Sequence, residues 1–377
     1  MWKKEWFYTP KKSAKTLGFT HSVCPAPVTG LCHDFAPFII KLSYAMQYRR
    51  LGRSNLQVSA LCLGTMMFGD QTDTPEAAAI VASARELGVN YIDTADVYTK
   101  GASETMLGGL LQGQRHDWVL ATKLGNAMSQ RINEGHYSRA WMLREVEDSL
   151  QRLQTDHIDI LYLHRDYLGM DLEEPLRALD ALLRAGKIRY WGVSNFRAWR
   201  IAELVHLARQ IGMPGPVVCQ PYYNLLNRMP EVEILPACAH HGLGVTPYSP
   251  VARGVLTGKY LPGQPPAEGT RAGRGDRRMT QTEFREESLQ IAQQLQTHAQ
   301  ARGVTLAQFA TAWVLAQRSV SAVIAGPRTL QQWLDYAPAL DYVVTDEDEA
   351  VVDALVHPGH PSTPGYTDPA YPIDARV

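Results

Sequence analysis

Short runs of consecutive apolar residues alternate with longer amphipathic stretches from about residue 46 onward. Eight of these runs have the length of a strand, and they lie at residues 61–64, 91–93, 119–123, 158–164, 188–194, 217–220, 245–248 and 322–325. Continuous apolar runs, in contrast to alternating ones, are typical of parallel strands that are buried on both faces. The pattern therefore predicts eight buried parallel strands.

The stretches between the apolar runs have helical periodicity. Residues 75–87 begin with a proline, which suits the first turn of a helix, and the spacing predicts a buried face of Ala78, Val81, Ala82 and Leu87. Residues 141–153 repeat the pattern, with apolar residues three or four positions apart, and the leucines at 176, 179 and 183 continue it. We therefore expect a helix after most of the strands.

A strand and a helix repeated eight times indicate the α/β class and, within it, a (β/α)8 TIM barrel. The competing fold is a doubly wound open sheet, which normally carries a GxGxxG fingerprint after its first strand. Here the first strand reads LCLGTMMFG at residues 61–69, without that fingerprint. We predict that residues 46–357 form one barrel.

Three further segments flank or interrupt the predicted barrel. Alternating residues at 48–58, around a turn at 52–55, predict a β-hairpin at the bottom of the barrel. A long insertion between strands seven and eight, residues 252–279, is dense in Gly, Pro and Arg, and such a loop is a candidate lid. Residues 358–377 are rich in Pro and Gly and are expected to form an extended tail on the surface.

The first 45 residues differ from the rest of the chain. They hold six lysines and one short apolar patch, which makes a poor signal-peptide core. We interpret them as a start codon assigned too early, with Met46 the true start, or alternatively as a disordered leader. Neither interpretation assigns chemistry to this segment.

Composition and charge narrow the class of protein. The 377 residues carry 37 Lys and Arg against 38 Asp and Glu, so the net charge of −1 gives no electrostatic case for a nucleic-acid partner or an anionic membrane. No apolar run approaches the roughly 18–20 residues that cross a bilayer. The five cysteines form no CxxC pair, which argues against a disulfide framework or a metal site and favours a cytoplasmic location. Oligomeric state is left open.

Polar residues of the types that act in catalysis lie where three neighbouring predicted strands end. Asp93 and Tyr98 close or follow the second strand, Lys123 closes the third, and His164 closes the fourth. The carboxyl ends of barrel strands meet on one rim, where active sites of this fold lie. A charged residue at the end of an apolar strand is unfavourable unless it is paired or functional. We therefore expect these four side chains to converge.

Such a set suits the delivery of a proton to a carbonyl oxygen during reduction. A free phenol, with a pKa of about 10, holds its proton tightly at neutral pH. We expect the Lys123 ammonium to lower the pKa of Tyr98, and Asp93 to keep Lys123 charged and in place. His164 is positioned to donate to the substrate oxygen and orient the carbonyl.

Motifs spread along the chain resemble those of the aldo-keto reductase superfamily, in the bacterial branch related to the potassium-channel β-subunits. They lie in the family's order across about residues 46–340, at residues 64–69, 93–98, 149–156, 158–164, 192–196, 220–228, 247–250 and 254–260. The resemblance implies that Asp93, Tyr98, Lys123 and His164 are the catalytic residues, with Tyr98 the general acid.

The resemblance also implies a binding site for NADPH, in preference to NADH. Ser194, Asn195 and Gln220 would bind the nicotinamide carboxamide, and Tyr248 would stack on its ring. Ser249, Leu256 and Lys259 would lie along the pyrophosphate, Arg328 would bind the adenosine 2′-phosphate, and Gln332 would lie near the adenosine end. The other implied cofactor positions are Gly64, Thr65, Met66, Pro250, Gly254 and Gly326. After Gln332 the family often has a Glu-Glu-Asn-like run, whereas this chain has Leu334, Asp335 and Tyr336, so adenine contacts there are unassigned.

Position on the same rim predicts the substrate pocket. Its expected lining is mostly aromatic and apolar, which suits a small-molecule carbonyl substrate such as an aldehyde with an apolar body: Met67, Phe68, Tyr98, Asp166, Tyr167 and Tyr223. The arginines at 271, 274, 277 and 278 are read either as a solvated loop or as a clamp on cofactor phosphates.

These observations favour an NADPH-dependent enzyme that reduces aldehydes or ketones to alcohols. One alternative is a cofactor-binding regulatory subunit of a membrane channel, which would bind the cofactor with negligible turnover. Another is a dehydrogenase that oxidises an alcohol, sugar or pyridoxine-type substrate at the same site. Nothing in the sequence indicates a metal.

Overall fold

The computed structural model describes residues 45–372. The interpretation of residues 1–45 therefore falls outside the described residues, apart from Ala45, and so does the end of the tail at 373–377. Within the described range the chain forms ten strands: β1 (Tyr48–Arg50), β2 (Gln57–Ser59), β3 (Leu61–Gly64), β4 (Tyr91–Asp93), β5 (Val119–Leu124), β6 (Ile158–Leu163), β7 (Ile188–Ser194), β8 (Val218–Gln220), β9 (Gly244–Val245) and β10 (Val323–Ala325).

Strands β3 to β10 form a single parallel sheet that curls into a barrel. Consecutive strands pair from β3 through β9, and β10 pairs with β3, with Val323 opposite Leu61. The remaining seam, between the ends of β9 and β10, is joined by two isolated parallel bridges, Val245 to Val320 and Tyr248 to Ile324. The prediction of a (β/α)8 barrel is confirmed.

The seventh barrel strand is shorter than predicted. The apolar run indicated residues 245–248, but β9 ends at Val245. Proline has no N–H to donate to a ladder, so regular pairing stops before Pro247, and Tyr248 rejoins the sheet through isolated bridges to Tyr222 and Ile324.

Eleven helices cover the barrel in the described part of the chain: α1 (Thr74–Glu86), α2 (Ala102–Leu110), α3 (Arg139–Leu153), α4 (Glu173–Arg184), α5 (Ala198–Gln210), α6 (Ile234–His241), α7 (Arg277–Thr282), α8 (Glu286–Ala301), α9 (Leu306–Ala316), α10 (Leu330–Leu334) and α11 (Asp346–Leu355). Side-chain caps begin several of them; the Asp73 carboxylate, for example, accepts from the Glu76 backbone at the start of α1. Among residues 45–372, no helix is long and apolar enough to cross a membrane.

The buried face of α1 differs from the prediction. The helix buries Ala77, Ile80, Val81 and Ala84, whereas Ala82 is exposed. This orientation places the large Ile80 side chain in the core, and burial of the larger apolar area decides the rotation of the helix.

Two apolar cores lie on either side of the sheet. The inner one fills the barrel with side chains such as Cys62, Tyr91, Ile160 and Tyr162, and the outer one packs the strands against the helices. The β1–β2 hairpin closes the amino-terminal end, as predicted: Leu51 and Val58 belong to the inner core. The Arg53 backbone donates to the Gly242 carbonyl at 2.8 Å, just before β9. The barrel interior is therefore packed, and its open end is the carboxyl-terminal one.

The tail runs along the surface of the barrel and is anchored to it. Residues 358–372 contain no helix or strand, but Ser362 is buried and its backbone donates to Leu226 at 2.9 Å. The segment is packed against the open end of the barrel, where it bears on the candidate site.

Candidate active site

The ends of β4 and β5 place an ion pair inside the mouth of the barrel. Asp93 is the last residue of β4, and the Lys123 ammonium pairs with one of its carboxylate oxygens. The Lys123 side chain is wholly buried and also donates to the Thr94 carbonyl at 2.7 Å and to the Tyr98 hydroxyl at 3.1 Å. The structure thus brings Asp93, Lys123 and Tyr98 into direct contact, as expected from the strand ends.

Lys123 is held in its charged form. Burial opposes a charge on this ammonium, but the Asp93 carboxylate and the Tyr98 hydroxyl outweigh it and keep the pKa of Lys123 above its ordinary value. The second Asp93 oxygen accepts from the Gln220 amide at 2.9 Å, so both carboxylate oxygens are occupied. The pair is fixed from three strands, β4, β5 and β8.

Tyr98 departs from the expectation in one respect. Burial raises the pKa of its phenol, and the opposing effect of Lys123 does not reverse that shift. Lys123 lowers the pKa of the phenol, as predicted, but desolvation of the phenolate is the larger effect and makes the net shift upward. The consequence is a phenol that keeps its proton at neutral pH, beside an ammonium that stabilises the phenolate once that proton has been donated.

His164 faces Tyr98 across the mouth of the barrel. The two rings meet edge to face with centroids 6.0 Å apart. Burial, together with the nearby Lys123, holds the pKa of His164 well below its usual value, so the imidazole is neutral. Its Nδ1 is buried with no partner among the described residues, whereas the ring lines the cleft. The neutral ring therefore presents its other nitrogen, Nε2, to a ligand in the cleft.

A chain of hydrogen bonds links the ends of β6, β7 and β8 to this group. Asn195, in a left-handed conformation with φ of 60°, donates to the His164 carbonyl at 3.0 Å and accepts from the Tyr248 hydroxyl at 2.8 Å. The Ser194 hydroxyl donates to the Gln220 carbonyl at 2.9 Å. A non-glycine residue in this backbone conformation is strained and is found preferentially at functional sites.

A long cleft of about 350 Å³ runs from these residues toward α10. Most of the positions implied as a cofactor site line it, namely Gly64, Thr65, Met66, Ser194, Asn195, Gln220, Tyr248, Ser249, Pro250, Gly254, Lys259, Gly326, Arg328 and Gln332. Leu256 is the exception, because its side chain is fully buried in the outer core. Asp335 and Tyr336, which the sequence left unassigned, also line the α10 end of the cleft.

The cleft carries a marked excess of positive charge. Six cations line it in the described part of the chain, Arg253, Lys259, Arg271, Arg274, Arg278 and Arg328, against the two acids Asp93 and Asp335. Burial and the neighbouring Arg328 and Arg274 lower the pKa of Lys259, which is the behaviour of a cation that lacks a compensating anion. An elongated ligand with several negative charges, such as a phosphorylated dinucleotide, fits this donor set.

The long insertion closes over one side of the cleft as a lid, defined here as residues 252–276. The Gln71 amide oxygen, on the opposite side, accepts from Arg274 of the lid at 2.7 Å and from Arg328 at 3.4 Å. Of the arginine cluster, Arg271, Arg274 and Arg278 line the cleft and Arg277 does not. The three that line the cleft lie where a clamp on cofactor phosphates would need them, and Arg274, like Arg277, is also exposed to solvent.

The expected substrate pocket needs correction at four positions. Met67 and Tyr98 line the cleft, but Phe68 and Tyr223 lie in the outer core. The Tyr223 hydroxyl donates to Glu231 at 2.7 Å, which points it away from the cleft. Two further residues are engaged elsewhere: the Asp166 carboxylate pairs with Arg200 at 3.1 Å, and the Tyr167 hydroxyl donates to the Gly125 carbonyl at 2.9 Å.

The structure adds one aromatic residue that sequence reasoning missed. Tyr371, in the tail, lines the same cleft. It lies more than 200 positions from Asp93 and His164 and more than 150 from Gln220, and no local pattern marks it.

A buried carboxyl beside the lid should make the stability of the protein depend on pH. Glu283, between α7 and α8, is almost fully buried, and neither carboxyl oxygen has a hydrogen-bond partner within residues 45–372. Burial raises its pKa to about 8. Because the unfolded carboxyl ionises near its ordinary value, the stability that the protonated group retains at acidic pH is lost as the pH rises toward 8.

Glu283→Gln, which cannot ionise, is therefore expected to stabilise the protein by about 4 kcal/mol at pH 8 and by little at pH 5. Thermal melts across this range measure the effect. Glu286→Gln, at the exposed start of α8, is the control and should change Tm equally at both ends. A gain from Glu283→Gln that did not grow with pH would contradict the assignment.

Comparison with known proteins agrees with this geometry. The Aldo/keto reductase family matches residues 60–357. A probable voltage-gated potassium channel subunit beta from Oryza sativa subsp. japonica is 37% identical over 320 residues, which cover 82% of this chain and 97% of that protein. An uncharacterized oxidoreductase, YrpG, from Bacillus subtilis is 35% identical over 313 residues, covering 80% and 93%. Since the family match runs through the whole barrel from β3 to α11, this chain belongs to the aldo/keto reductase family.

Proposed function

We propose that this chain reduces aldehydes or ketones to alcohols with NADPH. The observation that carries the proposal is the contact of the Tyr98 hydroxyl with the fully buried Lys123 ammonium, which Asp93 holds in place. A proton donor supported by a fixed cation is what a carbonyl oxygen requires as it becomes an alkoxide. NADPH, when bound, supplies the hydride for this chemistry.

The residues of the site have separate roles in orienting the carbonyl and in transferring the proton. Neutral His164 donates through Nε2 to the carbonyl oxygen and orients it. Tyr98 transfers its proton to the same oxygen, and Lys123 at 3.1 Å stabilises the phenolate that remains. In the oxidative direction the same groups act in reverse, because the deprotonated Tyr98 takes the proton of an alcohol. The proposed substrate is a small carbonyl compound with an apolar body, since Met67, Tyr248 and Tyr371 line the cleft together with Tyr98.

Ser194, Asn195, Gln220 and Tyr248 would hold the nicotinamide end of the cofactor. Lys259, Arg274 and Arg328 would hold its phosphates, and their uncompensated charge supports this assignment. We assign Arg328 to the 2′-phosphate that distinguishes NADPH from NADH.

Arg328→Ala is therefore expected to weaken NADP⁺ binding by about 10- to 100-fold, the value of a hydrogen bond between charged groups, with little change for NAD⁺. Calorimetric titration of both dinucleotides measures the difference. Arg318→Ala is the matched control, since Arg318 is exposed and precedes β10 whereas Arg328 follows it. Equal losses for NADP⁺ and NAD⁺ would show that Arg328 does not read the 2′-phosphate.

A second candidate function is that of a cofactor-binding subunit of a membrane channel. It is favoured by the names of three relatives, from rice, Arabidopsis thaliana and Schizosaccharomyces pombe, which are probable or putative potassium channel β subunits. The two functions are separated by the consumption of NADPH over a panel of aldehydes. Steady turnover supports the reductase, whereas tight NADPH binding without turnover on any aldehyde supports the subunit.

A further inference from the structure

The tail crosses the open end of the barrel and is fastened to it along its length. We call residues 361–372 the strap. Near its start, Arg285 donates to the hydroxyls of Ser362 and Thr363 at 3.0 and 2.7 Å, and its guanidinium lies 3.8 Å from the centre of the Tyr366 ring. Arg285, which directly precedes α8, therefore fixes the start of the strap.

Three arginines, one in α7 and two in the loops after β6 and β7, then hold alternate residues at the end of the strap. Arg278, just after the lid, binds both oxygens of Asp368 at 2.9 and 2.6 Å. Arg165, in the loop after β6, donates to the Ala370 carbonyl at 2.7 Å. Arg197, in the loop after β7, donates to the Pro372 carbonyl. Fixed at three successive points, the strap has a defined path above the cleft.

Tyr371 lies between the last two of these anchors and faces the cleft. Arg165 directly follows His164, and Arg197 lies three positions after Ser194, so Tyr371 is held at the reacting end of the cleft. The Arg165 guanidinium lies 5.1 Å from the centre of its ring, which restrains the ring as well as the backbone. The Tyr371 side chain, which we call the wall, is therefore held in place at this end of the cleft.

We propose that Tyr371 determines substrate size at this site, and that the Arg278–Asp368 pair positions it. The inference rests on the proposed carbonyl reduction and goes beyond it. A wall held by two loops and by α7 excludes bulky carbonyl compounds and presses small apolar ones against Tyr98 and His164. Neither Arg278 nor Asp368 is a catalytic residue. Removal of the Asp368 carboxylate therefore frees the wall and leaves the catalytic residues in place.

The test compares butanal with 2-naphthaldehyde in wild type, Tyr371→Ala and Asp368→Ala, all saturated with NADPH. In Tyr371→Ala we expect the ratio of kcat/KM for naphthaldehyde to that for butanal to rise at least tenfold. Asp368→Ala should shift the ratio in the same direction by a smaller factor. Tyr48→Ala, at the opposite end of the barrel, and Asp180→Ala, from a surface pair with Arg184 on α4, should leave it unchanged.

A ratio within twofold of wild type in a folded Tyr371→Ala protein would overturn the proposal. If wild type reduces no aldehyde, the proposed function fails, and the wall is then tested by the binding of 2-naphthamide and butyramide to the NADP⁺ complex. Selective tightening for naphthamide in Tyr371→Ala supports the wall. Equal affinities in the two proteins, or no binding to either, would overturn it.

Discussion

Tyr98→Phe is expected to lose about 10²- to 10⁴-fold in kcat, the usual contribution of a general acid, while it binds NADPH as wild type does. The substitution removes the one hydroxyl that Lys123 contacts at 3.1 Å and leaves the apolar volume of the ring in place. Turnover of an aldehyde and NADPH titration, measured on the same preparation, separate chemistry from binding.

Tyr48→Phe is the matched control, because it also removes a phenolic hydroxyl, one that donates to the Gly88 carbonyl at the far end of the barrel. It should retain full activity. Near-normal turnover in Tyr98→Phe would remove Tyr98 from the mechanism, and the proton would then have to come from His164 or from water.

Lys123→Met is expected to affect both activity and folding. The side chain is fully buried, and its removal leaves the Asp93 carboxylate in the barrel without its cation. Breaking a buried pair from one side destabilises a protein by about 3–5 kcal/mol. We therefore expect Lys123→Met to unfold at a lower urea concentration than wild type and to have no measurable turnover.

The double variant Asp93→Asn with Lys123→Met separates these two effects. It removes both charges, so it should recover most of the lost stability while it remains inactive. Arg184→Met, which breaks an exposed pair with Asp180, is the control and should change stability by less than about 1 kcal/mol. A Lys123→Met protein as stable as wild type would mean that Asp93 is protonated in the folded state.

Much of the architecture could be predicted because buried parallel strands leave a clear trace. Continuous apolar runs located all eight barrel strands, and the common direction of those strands brought Asp93, Lys123 and His164 to one edge. The error at β9 came from Pro247, whose apolar side chain continues the run although its backbone cannot continue the ladder.

The details of the site that depend on tertiary packing could not be predicted. Loop residues such as Phe68 and Tyr223 have no fixed alternation, so their position on the rim did not reveal that they point into the core. The net upward shift of the Tyr98 pKa was missed because desolvation depends on burial by distant segments. Tyr371 reaches the cleft through anchors supplied by helix α7 and two separate loops.

The closing seam of the barrel has a consequence for synthesis of the chain. Strand β3 pairs with β10, about 260 residues further along. At about 5–20 residues per second, the ribosome needs roughly 13–50 s to make the intervening residues. Throughout that interval one edge of β3 lacks its partner, and an unpaired edge is a template for association with other chains. The yield of folded protein should therefore fall as nascent chains become more crowded, and slower, more dilute expression should raise it.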